Sequence, residues 1–573
     1  MYKYLKSFKK EFIIGPFFKL LEAVLELFIP VVMASIIDIG VGNRDVNHIY
    51  RMGGVLILLG VFGLIFALVC QYCAAVASTG FSATIRQKLF SHINTLSHAE
   101  LDQVGSNSLI TRLTNDVNQV EIAVAMFIRL AVRAPFIIIG AAIMALIIDV
   151  KMSVIFIVII PLVSLVLYFV MGRSIPFYQK RQKKLDGVSL ITKENLEGSR
   201  VIRAFSKQEA ENQRFLTASS SVTEVAVRVG NLSALLNPAI FTVLNLGIIA
   251  IIWFGGLQVN VGNLTQGQVI ALVSYTTQIS LMLIVLANLI IIFTRASASA
   301  TRIDEILGIK SSIEAGSNAS KDHFQSNLKL EFSNVSFSYA GSEQEALSSL
   351  TFKISRGETI GIIGGTGSGK STLVNLMPRF YDATEGDILV DGVNVKDYEL
   401  TTLRKQFGVV PQQAVLFGGT ILENLRFAKA DATMEEIERA VEIAQAKDVI
   451  ESKAAKYEER VEQGGKNLSG GQRQRLTIAR ALVGNPEVLI LDDSSSALDY
   501  ATDAKLRQAL NRDSGDMTVI LVSQRAASIK HADQILVLDE GNLVGVGSHA
   551  DLMETCEVYR EICLSQLSKE EVQ

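Results

Sequence analysis

Long apolar runs dominate the first half of the chain. Each of six runs is about as long as the ~20 residues that an α-helix needs to cross the hydrocarbon core of a bilayer. They lie at residues 12–39, 54–78, 131–150, 152–171, 234–259 and 269–293. This pattern predicts an all-α transmembrane domain of six long helices surrounded by the lipid bilayer.

The segments between these runs differ in length and charge. Residues 149–151 join the third and fourth runs in a tight hairpin, and residues 260–268 carry no charge. The segments 79–129 and 172–233 are long, and the second is rich in Lys and Arg. Because basic loops stay on the cytoplasmic side, we expect both long segments and both chain termini in the cytoplasm.

Both long segments keep helical spacing with few helix breakers. This pattern predicts helices that continue far beyond the membrane. Each pair of helices would turn at its tip, near residues 97–107 and 205–211.

Composition and charge indicate more than one domain. The chain has 573 residues, of which 49% are hydrophobic, and its net charge is −3. The first half is basic and the remainder acidic, without the basic stripe of a nucleic-acid-binding protein, so we expect no nucleic-acid partner. A Ser/Asn/Gly-rich linker at 308–327 would separate a transmembrane domain at 1–307 from a soluble domain at 328–573.

Ionisable groups inside the apolar runs have two interpretations. Glu22 and Glu26 lie four residues apart on one helix face, and Arg133 begins the third run. Such groups either line a substrate cavity or are wetted or paired at the cytoplasmic helix ends. Cys70 and Cys73 form a C-x-x-C inside an apolar helix; without a second ligand pair, we expect neither a redox nor a metal role.

A glycine-rich loop begins the chemistry of the soluble domain. The β-branched run 359–363 precedes the pattern G-x-x-x-x-G-K-S, and a helical stretch follows. This context favours a phosphate-binding loop over a chance match in a turn, because glycine backbone N–H groups and a helix N-terminus surround phosphate. The candidate nucleotide-binding residues are Gly364, Gly365, Thr366, Gly367, Ser368, Gly369, Lys370, Ser371 and Thr372. Lys370 would contact the β- and γ-phosphates, and Ser371 would offer a hydroxyl to Mg²⁺.

Two further motifs extend this chemistry. The apolar run 488–491 predicts a buried parallel strand, and it ends in Asp492, a candidate Mg²⁺ ligand, and Asp493, at the position of a general base. A second small-residue turn precedes a helix and predicts another anion site. Its candidate residues are Ser469, Gly470, Gly471 and Gln472.

In this order, the motifs resemble the ATPase domain of an ABC transporter. Walker A lies at 364–371, LSGGQ at 468–472, Walker B ends at Asp492, and SALD follows at 496–499. The six apolar runs with two long cytoplasmic segments resemble the membrane domain of an ABC exporter half. The resemblance implies a multidomain fold, an all-α transmembrane domain followed by an α/β P-loop ATPase domain, with ATP and Mg²⁺ as cofactors.

The resemblance also implies roles for single residues. Tyr339 matches the aromatic residue that stacks on adenine, although a core aromatic is the alternative. Gln412 matches the glutamine that meets Mg²⁺ and senses the membrane domain, and Asp499 matches an aspartate that crosses to the partner's site. The turns near 97–107 and 205–211 match the coupling helices, the second of which reaches the partner's ATPase domain.

Three positions depart from the family pattern. Asp493 replaces the catalytic glutamate, Gln524 replaces the switch histidine, and residues 459–465 differ from the usual X-loop. A shorter carboxylate misplaces the attacking water, and glutamine cannot carry a proton as histidine does. The chain therefore resembles the degenerate half of a heterodimeric bacterial exporter, whose partner half would hold the consensus glutamate and histidine.

The expected function is that of an ATP hydrolase coupled to transport across a bacterial cell membrane. Its own Walker site would be weak, and its LSGGQ would complete the competent site of the partner. The expected substrates are hydrophobic or amphiphilic compounds such as drugs. A lipid flippase, an ATP-gated or regulatory subunit, and a homodimer with slow turnover are the alternatives.

Overall fold

The computed structural model describes residues 2–314, 316, 327–342, 344–513 and 515–566. Most of the predicted linker at 308–327 therefore lies outside the described residues. The chain forms two compact units. The first comprises Met1–Asn94 and Asn107–Gly308, and the second comprises Thr95–Ser106 and Ile309–Gln573.

Six helices of the first unit are long and apolar enough to cross a membrane, which confirms the predicted number of spans. The helices in the first 308 residues, in chain order, are α1 (Lys3–Val41), α2 (Val46–Ile93), α3 (His98–Val104), α4 (Ser106–Ile148), α5 (Val150–Glu197), α6 (Ser199–Ala204), α7 (Gln208–Asn260) and α8 (Gln266–Gly308). The short helix α3 belongs to the second unit. Between α6 and α7, Ser206 takes a positive φ of 53°, so the chain bends just before Gln208.

Polar side chains fix the ends of the long helices. Asp149 accepts a hydrogen bond from the Met152 backbone N–H at 2.7 Å and begins α5 directly after α4. Asp38 accepts from the Gly267 backbone N–H at 2.7 Å and so caps the start of α8. These aspartates satisfy N–H groups that a helix leaves without an internal partner.

The outer surface of the long helices is apolar. Large side chains such as Ile57, Leu64, Ile147 and Trp253 are exposed. An apolar surface of this extent is typical of a face that contacts lipid.

The ionisable groups of the first unit lie in pairs. The Lys19 ammonium lies 2.7 Å from the Glu22 carboxylate, and Arg133 lies 2.7 Å from Glu26. These contacts agree with the paired interpretation of Glu22, Glu26 and Arg133. The Cys70 and Cys73 thiols are buried.

The second unit contains the sheets. Its strands are β1 (Leu328–Phe337), β2 (Leu347–Ser355), β3 (Thr359–Gly364), β4 (Glu385–Val390), β5 (Val393–Asn394), β6 (Phe407–Val410), β7 (Gly419–Thr420), β8 (Arg460–Val461), β9 (Val488–Asp492), β10 (Thr518–Val522), β11 (Gln534–Asp539) and β12 (Asn542–Gly547). A six-stranded sheet has the order β12-β11-β3-β10-β9-β6 and is parallel except for β12. A four-stranded antiparallel sheet has the order β2-β1-β4-β5.

Helices cover these sheets. They are α9 (Lys370–Leu376), α10 (Leu400–Lys405), α11 (Ile421–Leu425), α12 (Met434–Ile443), α13 (Lys447–Glu451), α14 (Gly470–Val483), α15 (Tyr500–Asp513), α16 (Ala526–Ile529), α17 (His549–Thr555) and α18 (Glu557–Gln566). One core joins the two sheets through residues such as Phe332, Leu373 and Ile490. In the parallel sheet, β10 lies between β3 and β9. The carboxyl ends of these three strands therefore meet at one edge, where the candidate site lies.

Candidate nucleotide-binding site

The predicted phosphate loop follows β3 and ends where α9 begins. Gly367 and Gly369 have φ values of 84° and 94°, a conformation that L side chains rarely adopt. A Cβ on Gly369 would lie 2.6 Å from the Leu347 side chain, whereas one on Gly365 or Gly367 would meet nothing within 4 Å. The loop is thus tight against the domain at its end and open at its middle, as a phosphate cradle requires.

Lys370 turns its ammonium group into this loop. Its Nζ donates to the carbonyl oxygens of Gly364 and Gly365 at 2.9 and 2.5 Å, and lies 3.2 Å from Ser368 Oγ. Burial lowers the pKa of Lys370, while the carboxylates of Asp493 and Asp492 oppose that shift. The loop carbonyl oxygens thereby hold the Lys370 ammonium where it could contact the phosphate oxygens of a bound nucleotide.

Asp492 and Ser371 form the candidate Mg²⁺ position. The Ser371 hydroxyl donates to Asp492 Oδ1 at 3.2 Å. Burial raises the pKa of Asp492, and the hydrogen bond from Ser371 opposes the shift. Hydroxyl and carboxylate oxygens are ligands that Mg²⁺ prefers, so these two residues fit the expected metal.

The structure places Asp493 beside Gln412. Gln412 Nε2 donates to Asp493 Oδ2 at 3.3 Å. The Asp493 backbone has a φ of 44° and its N–H donates to the Val522 carbonyl at 3.0 Å, which ties the residue to the end of β10. Burial raises the pKa of Asp493; the Gln412 hydrogen bond and Arg525 oppose it.

Gln524 follows β10 and is exposed at the same edge of the sheet. A residue that sequence reasoning missed holds its backbone. Gln566 Nε2 donates to the Gln524 carbonyl at 2.8 Å, and Gln566 Oε1 accepts from the Ala526 N–H at 2.9 Å. No local pattern marks Gln566, because it lies at the end of the last described helix, far along the chain.

Tyr339 lies over the start of α9. Its hydroxyl is 3.0 Å from Thr372 Oγ1, and its ring is edge-on to Phe337 at 4.9 Å and to Tyr381 at 5.5 Å. Tyr339 is 38% exposed as a residue, so part of its surface is available for stacking. Tyr381 is a second residue that the motifs do not reveal.

The LSGGQ turn forms a complete helix cap. The Gln472 backbone N–H donates to Ser469 Oγ at 3.2 Å, and the Ser469 N–H donates to Gln472 Oε1 at 3.0 Å. Gly470, Gly471 and Gln472 form the first turn of α14. Asp499 likewise accepts from the Thr502 N–H at 2.9 Å at the start of α15. Across the residues that the structure describes, no hydrogen bond joins the LSGGQ turn to the phosphate loop.

Comparisons with known proteins cover nearly the whole chain. Residues 12–283 match the ABC transporter transmembrane region, and residues 347–496 match the family described as ABC transporter. The chain is 38% identical over 551 residues to the uncharacterized ABC transporter ATP-binding protein YfiB of Bacillus subtilis, covering 96% of this chain and 95% of that protein. It is 31% identical over 569 residues to the ATP-dependent lipid A-core flippase of Vibrio vulnificus, covering 98% and 96%.

Two more similarities agree with these. A Bacillus subtilis protein named as a candidate multidrug export ATP-binding/permease protein, YgaD, is 32% identical over 577 residues, covering 98% of this chain and 97% of that protein. The fold matches the structure of a bacterial Atm1-family ABC exporter with ATP bound, with a TM-score of 0.82 and 22% identity over 98% of this chain and 99% of that one. The predicted fold class is confirmed, and the chain belongs to the ABC transporter family as an exporter half in which a multi-pass membrane domain is fused to an ATPase domain.

Proposed function

We propose that this chain is the degenerate half of a heterodimeric bacterial ABC exporter. Its own Walker site would hold ATP and hydrolyse it slowly, while its LSGGQ turn would complete the competent site of a partner half. The observation that carries this proposal is the state of Asp493, a short carboxylate already engaged by Gln412 at 3.3 Å.

Binding of ATP with Mg²⁺ rests on an intact set of groups. The loop from Gly364 to Thr372 would surround the phosphates, with Lys370 as the cation. Ser371, Asp492 and Gln412 would hold Mg²⁺, which neutralises phosphate charge when bound. Tyr339 would stack on the adenine.

Hydrolysis in this site lacks two groups. Asp493 is one methylene shorter than the glutamate of the family pattern, and a displacement of about 1 Å at a reacting centre can cost ~10²-fold in rate. Gln524 can donate a hydrogen bond to a γ-phosphate but cannot carry a proton. Both deficits fall on the same step, so ATP would remain bound for long periods.

The partner is a second ABC half with the consensus glutamate and histidine. In the head-to-tail ATPase dimer of this family, each nucleotide lies between one Walker loop and the LSGGQ turn of the other chain. Ser469 supports this role, because its cap geometry is complete and, among the described residues, no hydrogen bond joins the turn to the chain's own phosphate loop.

A groove in the second unit suits the partner's second cytoplasmic turn. Phe417 and Phe427 stack at 4.7 Å and are 49% and 67% exposed, and the Arg480 guanidinium lies 5.8 and 5.9 Å from their ring centroids. An exposed aromatic pair beside a cation is typical of a protein-binding surface. The second turn of this chain carries a matching exposed aromatic, Phe205.

Hydrophobic or amphiphilic compounds are the proposed substrates, moved out across the cell membrane with the ATPase domain on the cytoplasmic side. The similarity to YgaD, which is named as a candidate multidrug export protein, supports drugs as substrates. A lipid is the second candidate, supported by the similarity to a lipid A-core flippase.

The test compares the chain alone with the chain co-purified with a candidate partner half that has the consensus glutamate and histidine. Alone, the chain should bind ATP in a filter assay but release little phosphate. With the partner, it should hydrolyse ATP and move a fluorescent amphiphilic dye into inverted membrane vesicles. Rapid turnover by the isolated chain would contradict the degenerate-site proposal, and flux of the dye only down its gradient would contradict a pump.

A further inference from the structure

Tyr381 joins the nucleotide site to the first cytoplasmic turn, which is defined here as Thr95–Ser106 with its helix α3. Its ring lies 5.5 Å from that of Tyr339, with an interplanar angle of 83°, and 5.6 Å from that of Phe337. Its hydroxyl donates to Asp102 Oδ2 at 2.6 Å. One side chain thus touches both the candidate adenine-stacking residue and the turn.

The bond from Tyr381 to Asp102 is a strong one of its type. Burial and the hydrogen bond to Asp102 both raise the pKa of Tyr381, so the phenol stays protonated and can donate. A phenol that donates to a carboxylate forms a charge-assisted bond, which is shorter and stronger than a neutral one. Any displacement of the tyrosine ring would therefore be passed to Asp102.

Neighbouring contacts make the turn a firmly seated element. His98 stacks on Phe380 with centroids 4.7 Å apart, and burial lowers the pKa of His98, with Arg404 adding to the shift and Asp102 opposing it. Glu100 closes the cap at Ser97 and accepts from the Ser312 backbone N–H at 3.1 Å. These contacts hold the turn against the ATPase domain. The turn connects the end of α2 to the start of α4.

The chain of contacts from Asp102 through Tyr381 and Tyr339 ends at α9, the helix that follows the phosphate loop. The Tyr339 hydroxyl lies 3.0 Å from Thr372 Oγ1, directly after Ser371. A base stacked on Tyr339 would restrict its ring, and the perpendicular packing would restrict Tyr381 in turn.

We propose that Tyr381 is a positioning residue that transmits nucleotide occupancy from Tyr339 to the first cytoplasmic turn through its hydrogen bond to Asp102. The inference rests on the adenine-stacking role given to Tyr339 under the proposed function. It does not depend on how fast the site hydrolyses ATP.

The test places a reporter on the turn. Gln103 is exposed, and all four native cysteines are buried, so Gln103→Cys in the full-length chain accepts an environment-sensitive fluorophore at one position. ATP with Mg²⁺ should shift the emission of this label. In Tyr381→Phe and in Asp102→Asn the shift should fall by about threefold or more, the size expected when one coupled contact is lost. The variant that combines Tyr381→Phe with Asp102→Asn should lose no more of the emission shift than either single variant.

ATP affinity is measured on the same samples with radiolabelled ATP and should stay within about threefold of the parent, because neither group touches the phosphates. Tyr398→Phe is the matched control: its buried hydroxyl donates to the Val390 carbonyl at 3.0 Å, away from the turn. This control should keep the full shift.

The proposal is overturned if Tyr381→Phe keeps the full ATP-induced shift, if it loses ATP binding, or if the parent shows no shift at all. The Tyr339→Ala variant separates the two proposals. Unchanged ATP affinity in Tyr339→Ala would count against the nucleotide role of Tyr339. Weakened ATP affinity in Tyr339→Ala, together with the reduced emission shift in Tyr381→Phe, would support both the stacking role of Tyr339 and the transmission role of Tyr381.

Discussion

Replacing Ser469 with alanine should sharply reduce ATP hydrolysis by the heterodimer. The substitution removes two things: the N-cap of α14, and a hydroxyl that would face the partner's γ-phosphate. Loss of a serine N-cap costs about 1 kcal/mol of stability. Loss of one donor to a transition-state oxyanion costs about 10²–10³ in turnover.

Ser548 provides a control that separates these effects. It caps α17 with the same reciprocal arrangement, in which the Asp551 N–H donates to Ser548 Oγ at 3.3 Å. Ser548→Ala should lower the thermal midpoint about as much as Ser469→Ala, because both remove an equivalent cap. A loss of about 1 kcal/mol leaves a domain of ordinary stability almost wholly folded, so its ATPase should stay within about twofold of the parent.

The assay measures phosphate release by the reconstituted heterodimer at saturating ATP, normalised to intact complex. Ser469→Ala should fall about 100-fold. Asp493→Asn should fall by no more than about threefold, since the proposal gives its site little of the total turnover. Equal losses in Ser469→Ala and Asp493→Asn would refute the division of labour, and an equal loss in Ser548→Ala would show that the cap, not the phosphate contact, is responsible.

Three further outcomes test the site and the membrane domain. Gly369→Ala should abolish ATP binding in the filter assay, because a side chain there meets Leu347 and the backbone has a φ of 94°; retained affinity would contradict the loop geometry. Glu26→Gln should lower unfolding free energy by about 1.5–3 kcal/mol, measured by thermal unfolding in nanodiscs, because Arg133 loses its charged partner. Because burial raises the pKa of Asp492, a proton competes with Mg²⁺ at a higher pH than at an ordinary aspartate. Mg²⁺ affinity, measured by calorimetry with ATP and corrected for the protonation of ATP itself, should therefore begin to weaken at a pH above the ordinary aspartate range; a corrected affinity that stays flat until that range would contradict this.

The sequence predicts local features well and distant contacts poorly. The six spans follow from the length of apolar runs, and the loop around Lys370 follows from one contiguous motif. The extension of the helices beyond the apolar runs, as in Val150–Glu197, follows from the helical spacing and few breakers of the long polar segments. Contacts between residues that are far apart in the sequence leave no such local pattern.

The contacts of Tyr381 and Gln566 illustrate the limit. Tyr381 reaches Asp102 across 279 positions of sequence, and Gln566 reaches the backbone beside Gln524 across 42. Each contact depends on how helices and strands pack, which neither composition nor periodicity records. The paired state of Glu26 is of the same kind, because its partner Arg133 lies 107 positions away.

The two features at the centre of the proposal act on different nucleotides. Under the proposed function, Asp493 and Gln524 would weaken the site that this chain forms with its own Walker loop, whereas Ser469 would serve the site of the partner. A site that binds ATP without rapid turnover still contributes binding free energy to the closed dimer, about 2.7 kcal/mol when ATP is present at 100 times its dissociation constant. In the proposed heterodimer that contribution would persist through the cycle, while hydrolysis at the partner's site would remove the equivalent contribution once per turnover. The heterodimer would therefore alternate between one and two closed nucleotide interfaces. The position of the first cytoplasmic turn, tied to Tyr381, would report the occupancy of the slower one.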